Sequence, residues 1–162
     1  MNGSELFEIV ASILRRTGFA KRGGLLRRAS SEVVCLVELQ KERWSELRYV
    51  NVGLSFADPL LLAKSVRTCD VSIRLDRVST SSRTEVLDVF DLGIPIDDEL
   101  RRVRVEAVAV GLLIPWCERA STVNGICEMV RERDGSLPAA FLTLVARRFL
   151  SKRCDWISAE PN

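Results

Sequence analysis

Histidine is absent from this 162-residue chain. Imidazole is the commonest proton carrier near neutral pH because its unperturbed pKa is about 6.5, so the absence removes whole classes of chemistry. Ser-His-Asp and Cys-His hydrolysis, the H-E-x-x-H zinc sites, the two-His-one-carboxylate iron site and C-x-x-C-H haem attachment all need a residue the chain does not have. Carboxylate, lysine, arginine and metal-carboxylate chemistry stay open.

Other absences narrow the field. Cys35, Cys69, Cys117, Cys127 and Cys154 are separated by 34, 48, 10 and 27 residues, so no C-x-x-C pair is available to a thiolate zinc site or a redox dithiol. Their odd number, and the fall of Cys35 and Cys127 on apolar stripes, predict free thiols acting as small hydrophobes in a reducing cytoplasm. The start, Met1-Asn2-Gly3-Ser4-Glu5, has neither the basic residues nor the apolar core of a signal peptide. The longest apolar run, Ala107 to Cys117, is too short to cross a bilayer, so no membrane association is expected. No P-loop, G-x-G-x-x-G fingerprint or G-x-S-x-G elbow occurs. No internal repeat or linker parts the chain, so residues 1–162 read as one α+β domain. With 47% hydrophobic side chains and a net charge of +2, the composition is that of a globular protein without a large cationic excess.

The hydrophobic pattern sets the expected elements. Ser4 is placed to cap a helix carrying Leu6, Phe7, Val10, Ile13 and Leu14, stopped by Gly18. The period then falls to two. Leu25–Ser30, Glu32–Gln40, Leu47–Phe56 and Cys69–Arg77 predict about four strands in an antiparallel meander sheet. In Glu32–Gln40, Val33, Cys35, Val37 and Leu39 share one face, and the other is apolar only at the Val34-Leu36 end. In the last strand Val71, Ile73 and Leu75 face inward, while Asp70, Ser72, Arg74 and Asp76 face water. Asp58-Pro59 closes the third strand, Ser79–Thr84 reads as an exposed loop, and Glu85–Leu92 is ambiguous. Three C-terminal helices are expected to pack the sheet. One is capped by Asp97 or Asp98 and carries Val103, Ala107, Val110 and Ile114, with Pro115 ending or kinking it. The next, from Ser121 or Thr122 to Gly135, carries Val123, Ile126, Cys127 and Val130. The last begins at Ser136-Leu137-Pro138 and presents Phe141, Leu144, Val145 and Phe149.

Charge is polarised along the chain. Arg15, Arg16, Lys21, Arg22, Arg27 and Arg28 fall in a stretch with no acidic residue between Glu8 and Glu32. Such a cluster would bind phosphate or an acidic partner; the plainer reading is a solvated helix end and turn, and the lack of regular aromatic interleaving weighs against nucleic acid. Glu85, Asp88, Asp91, Asp97, Asp98 and Glu99 form the acidic counterpart. Their spacing fits no calcium loop, and Asp97, Asp98 and Glu99 suit a helix cap and first turn. Glu38-Leu39-Gln40-Lys41 resembles the acid-x-Lys element of metal-dependent nucleases, but its register is off by one residue and no upstream Asp partners it.

A more specific constellation is Gly18-Phe19-Ala20-Lys21-Arg22-Gly23 after the first helix, Leu39-Gln40-Lys41-Glu42-Arg43-Trp44, and Asn51-Val52-Gly53-Leu54. It resembles an uncharacterised bacterial family catalogued as a domain of unknown function, number 4304, over about residues 1–60. The resemblance implies a small cytoplasmic α+β domain and carries over no activity. Gln40, Lys41, Trp44, Tyr49 and Asn51 gather near one end of two adjacent strands. They form either a motif holding the hairpin, with Gly53 allowing a bulge or close packing, or a recognition surface anchored by Trp44 and Tyr49.

The leading expectation is a non-enzymatic protein-binding domain, such as a toxin-neutralising immunity protein, using the basic cluster and the Gln40/Lys41/Trp44/Tyr49/Asn51 group, with no cofactor. The competing expectations are a metal-dependent enzyme acting on phosphate-containing substrates through carboxylates and Arg/Lys, and a nucleic-acid-binding module. The sequence sets no oligomeric state.

Overall fold

A computed structural model describes residues 1–56, 65–79, 81–132 and 137–154. Helix α1 (Gly3–Arg15) begins at Asn2, not Ser4. The Asn2 side chain accepts from the Ser4 and Glu5 amides while Glu5 returns a bond to the Asn2 amide, a reciprocal capping box. Leu6, Ile9, Val10, Ile13 and Leu14 form its buried stripe, and Gly18, at φ +88°, turns the chain out of it.

Five antiparallel strands follow in sequential order: β1 (Ala20–Arg22), β2 (Leu25–Ala29), β3 (Val34–Lys41), β4 (Arg48–Ser55) and β5 (Val71–Arg74). The strand beyond the expected four is β1, too short to show a period of its own. Gly23, at φ +60°, supplies the positive dihedral that the tight β1–β2 turn needs.

The sheet has two unlike faces. Val33, Cys35 and Val37, Val50, Val52 and Leu54, and Val71 and Ile73 meet α1 and the later helices in the main core. On the opposite face Val34 and Leu36 pack with Val66 and Cys69 from a short 3₁₀ turn (Val66–Thr68), making a small second cluster. The half-apolar outer face expected of β3 is therefore covered where it is apolar. Gly53 lies under that turn: a Cβ there would stand 2.6 Å from Cys69 Sγ and 3.1 Å from Val66 Cα. Its role is close packing, not a bulge.

β5 is shorter than the alternation predicts. It ends at Arg74, and a 3₁₀ turn (Leu75–Arg77) swings Asp76 inward, so Asp76 is buried rather than wet. Helix α2 (Arg83–Phe90) resolves the ambiguous Glu85–Leu92 stretch, and Asp58-Pro59 lies outside the described residues.

Helix α3 (Asp98–Val108) starts at Asp97, whose carboxylate accepts from the Glu99 and Leu100 amides. It runs through a π-helical turn (Ala109–Leu113) into α4 (Ile114–Arg119). Proline has no N–H and clashes with the carbonyl one turn back; the widened turn before Pro115 accommodates it without ending the helix. The inward stripe is Arg101, Val105, Val108, Ala109, Leu113, Trp116 and Cys117. The expected stripe faces outward instead, with Val103, Ala107 and Val110 exposed and Ile114 only partly buried.

Thr122 caps α5 (Val123–Arg131); its expected stop, Gly135, and Ser136 lie outside the described residues. Helix α6 (Leu144–Ser151) begins at Thr143. It buries Ala146 and Leu150, leaving the predicted core residues Leu144 and Val145 exposed. Cys127 on α5 and Cys154 after α6 form a disulfide, with Cα atoms 6.2 Å apart, which corrects the expectation of free thiols there. Cys35, Cys69 and Cys117 are free and buried as expected.

Candidate functional site

Strand alternation divides the basic stretch between two faces. Lys21 and Arg28 sit opposite Leu26 and Cys35, so both point toward the helix side. Lys21 pairs with Glu8 on α1 and lies over the Phe7 ring. Arg15 also reaches Glu8, at 3.5 Å, and Arg16 reaches Glu106 on α3 at 3.6 Å. The hydrogen bond from Lys21 holds the Glu8 carboxyl below its ordinary pKa. Arg28 stacks on Phe19 and donates to the carbonyls of Cys117, at 2.7 Å, and Thr17, at 3.4 Å. It therefore ties the sheet to α4. These four cations do not form one patch.

Arg22 and Arg27 point the other way. The register Arg22↔Leu25, Leu25↔Glu38, Glu38↔Asn51 and Asn51↔Arg74 sets five side chains in one cross-strand row on the outer face. Gln40 and Tyr49 form a pair one step along, and Arg27 lies one step the other way. Neighbouring strands are about 4.8 Å apart and successive same-face residues about 6.7 Å apart, so these groups adjoin. Asn51 Nδ2 donates to Gln40 Oε1 at 2.9 Å, and the Arg74 guanidinium lies over the Tyr49 ring at 4.2 Å. Among the described residues neither Arg22 nor Arg27 makes an ion pair. The basic cluster and the amide-aromatic group, unconnected in sequence, thus share a surface through two of its six cations.

Lys41 and Trp44 border this surface without joining it. Lys41 donates to Glu46 at 2.7 Å across the β3–β4 loop, which lowers the Glu46 pKa. Trp44 is 80% exposed at the loop tip and stacks on Arg43 at 4.5 Å. Arg74, which pattern reading placed only as a wet strand residue, is the addition the structure makes. Its signal was the pairing of β5 with β4, which no single-strand pattern contains.

The acidic stretch does local work. Asp91 accepts from the Gly93 amide at 2.8 Å, Asp97 caps α3, and Glu99 pairs with Arg102 at 3.6 Å. Among the described residues no group of three Cys, Asp or Glu side chains is placed to hold a metal ion.

No curated protein and no solved structure shows significant similarity to the chain. The family model for a domain of unknown function (DUF4304) matches residues 10–95, which run from α1 through the whole sheet to α2. That span is more than half of the 162 residues and contains the outer-face row, and the chain belongs to the DUF4304 family.

Proposed function

We propose that the chain is a non-catalytic protein-binding domain that docks its partner on the polar outer face of the sheet. The observation that carries this reading is the row Arg22, Glu38, Asn51 and Arg74 with its neighbours Arg27, Gln40 and Tyr49. Arg22 and Arg27, which make no ion pair among the described residues, stand there against the one carboxylate of Glu38, while Arg74 is paired with Asp76; the surplus positive charge favours a partner that presents acidic side chains. The Asn51–Gln40 bond and the Arg74–Tyr49 stack hold these groups before a partner arrives, so little rotamer entropy is left to lose. Arg and Tyr are the residue types that dominate binding hot spots. Neutralisation of a toxin by a bacterial immunity protein is the specific form this reading takes, with the toxin supplying the acidic docking face.

The test is capture of the toxin encoded beside this chain, where one is present, or of the native partner from cells. Wild-type protein is compared with Arg22→Glu/Arg27→Glu and with Tyr49→Ala. Loss of a hot-spot contact of about 2 kcal/mol should weaken capture about thirtyfold while leaving the circular dichroism unchanged. Equal capture by the folded variants would sink the proposal.

A further inference from the structure

Asp76 is almost wholly buried and carries a carboxylate that needs one good counter-ion. It has three. Arg74 Nη2 donates to Asp76 Oδ2 at 2.9 Å, Arg77 Nε stands 3.6 Å from the same oxygen, and Arg83 Nε 3.9 Å from it. Arg77 and Arg83 approach through Nε at distances beyond a hydrogen bond, leaving their terminal Nη pairs unused. Among the described residues neither makes a hydrogen bond to another group.

Three cations around one anion leave a local charge of +2, gathered by a carboxylate that is itself shielded from water. Arg77 and Arg83 are each about half exposed, at 46% and 48%, so the surplus faces solvent. Arg83 is also the first residue of α2, whose N-cap residue Ser82 makes no side-chain capping bond. The positive end of that helix dipole therefore adds to the same field. Glu85 and Asp88 lie two and five residues after Arg83, on other sides of an α-helix, and oppose this field only weakly.

We propose that Arg74, Arg77 and Arg83, assembled by Asp76, form a binding site for a phosphate group. Guanidinium forks match phosphate oxygens bidentately, and a phosphate monoester carries about −1.5 to −2 at neutral pH, close to the surplus. A single carboxylate would leave half of it uncompensated. Buried Asp76 sets the spacing of the arginines, so they need not be drawn together when the ligand arrives. The site shares Arg74 with the proposed docking face, but Arg77 and Arg83 lie outside that row, so their variants test the phosphate site apart from the protein-docking reading.

The experiment follows backbone amide shifts of the full chain during titration with inorganic phosphate, with ionic strength held constant by chloride. Saturable shifts at Arg77, Arg83 and Thr84 are expected, weakened at least fivefold in Arg77→Gln and in Arg83→Gln. Arg22→Gln/Arg27→Gln should bind phosphate like wild type, which separates this site from the outer face. A phosphoserine peptide supplied in parallel identifies the source. Binding at least tenfold tighter than inorganic phosphate assigns a macromolecular phosphate, and equal binding assigns a small one; both uphold the site. Absence of saturable shifts in wild-type protein, or unchanged affinity in the two single variants, overturns it.

Discussion

Arg101 offers the most exacting test of the physical reasoning. It is only 2% exposed, and it spends its guanidinium on carbonyls: Nη1 donates to Val89 at 2.7 Å and Asp91 at 2.9 Å, and Nη2 to Ile94 at 2.6 Å. Val89 lies in the last turn of α2, where carbonyls have no helical partner and the dipole favours a cation. Replacing Arg101 by Leu removes three charge-assisted hydrogen bonds, each worth about 1.5–3 kcal/mol; the Asp91 and Ile94 carbonyls keep the Ile94 and Ile96 amides as donors, and part of the loss is regained by removing a buried charge and burying apolar surface. The net loss expected is about 3 kcal/mol. At roughly 2–4 °C per kcal/mol for a chain of this size, Tm falls by about 6–12 °C. Arg101→Lys keeps the charge but has one nitrogen for three widely placed acceptors, so it should lose about half as much. Arg102→Leu, exposed one residue away, should stay within about 0.5 kcal/mol. Arg101→Leu should also speed hydrogen exchange at Leu92, whose amide donates to Glu46 at 3.3 Å beside the Trp44 loop. Urea unfolding and exchange measure both, and a loss below about 1 kcal/mol in Arg101→Leu would refute the account.

Further outcomes follow from particular contacts. Closing a loop across the 27 residues from Cys127 to Cys154 restricts the unfolded chain by about 3–4 kcal/mol on the chain-entropy argument, so reduction should lower the urea midpoint accordingly; an unchanged midpoint rejects it. Gly53→Ala forces a methyl against Val66 backbone and Cys69 Sγ and should destabilise by about 1–3 kcal/mol, measured in the same way. Burial pushes the Cys69 thiol up to about 12, and its contact with Cys117 pushes the Cys35 thiol well above its ordinary value. A thiol whose folded pKa is raised contributes stability that is complete below the unfolded pKa, about 8.5, and lost as pH rises toward the folded one. Unfolding should therefore become easier from about pH 8.5 upward, and native thiols should react with an aromatic disulfide reagent far more slowly than unfolded ones. Equal rates would contradict the burial.

Where the sequence was legible, one physical cause acted locally. Val33, Cys35 and Val37 alternate because one face of β3 meets the main core, and the same period located β4 and its partner. Gly18 marked a helix end because its positive φ is a backbone property of one residue. The failures come from tertiary competition. Val103 and Val110 satisfy helical spacing but are exposed, because the core contact is made by the neighbouring stripe through Val105, Val108 and Leu113. Arg101 joins that stripe only because α2 ends against it, a fact absent from its own helix. Asp76 continues an alternation that the chain abandons when a 3₁₀ turn rotates it inward.

The charge clusters show the same competition at the level of the surface. In sequence, Arg15 to Arg28 reads as one basic pole, yet a strand turns successive residues to opposite faces, so any basic run that enters a sheet is divided by it. Arg28 becomes a tie between sheet and helix, Lys21 and Arg15 are met by Glu8, and only Arg22 and Arg27 reach the open face. The positive charge that remains concentrated arises at the β5 edge of the sheet, where Arg74, Arg77 and Arg83 are drawn onto one buried carboxylate from a strand, a turn and a helix. Proximity in sequence had dispersed in space, and separation in sequence had converged. A charge run therefore predicts a surface only when the element carrying it presents the run to one side, and in this chain neither cationic surface comes from an intact run.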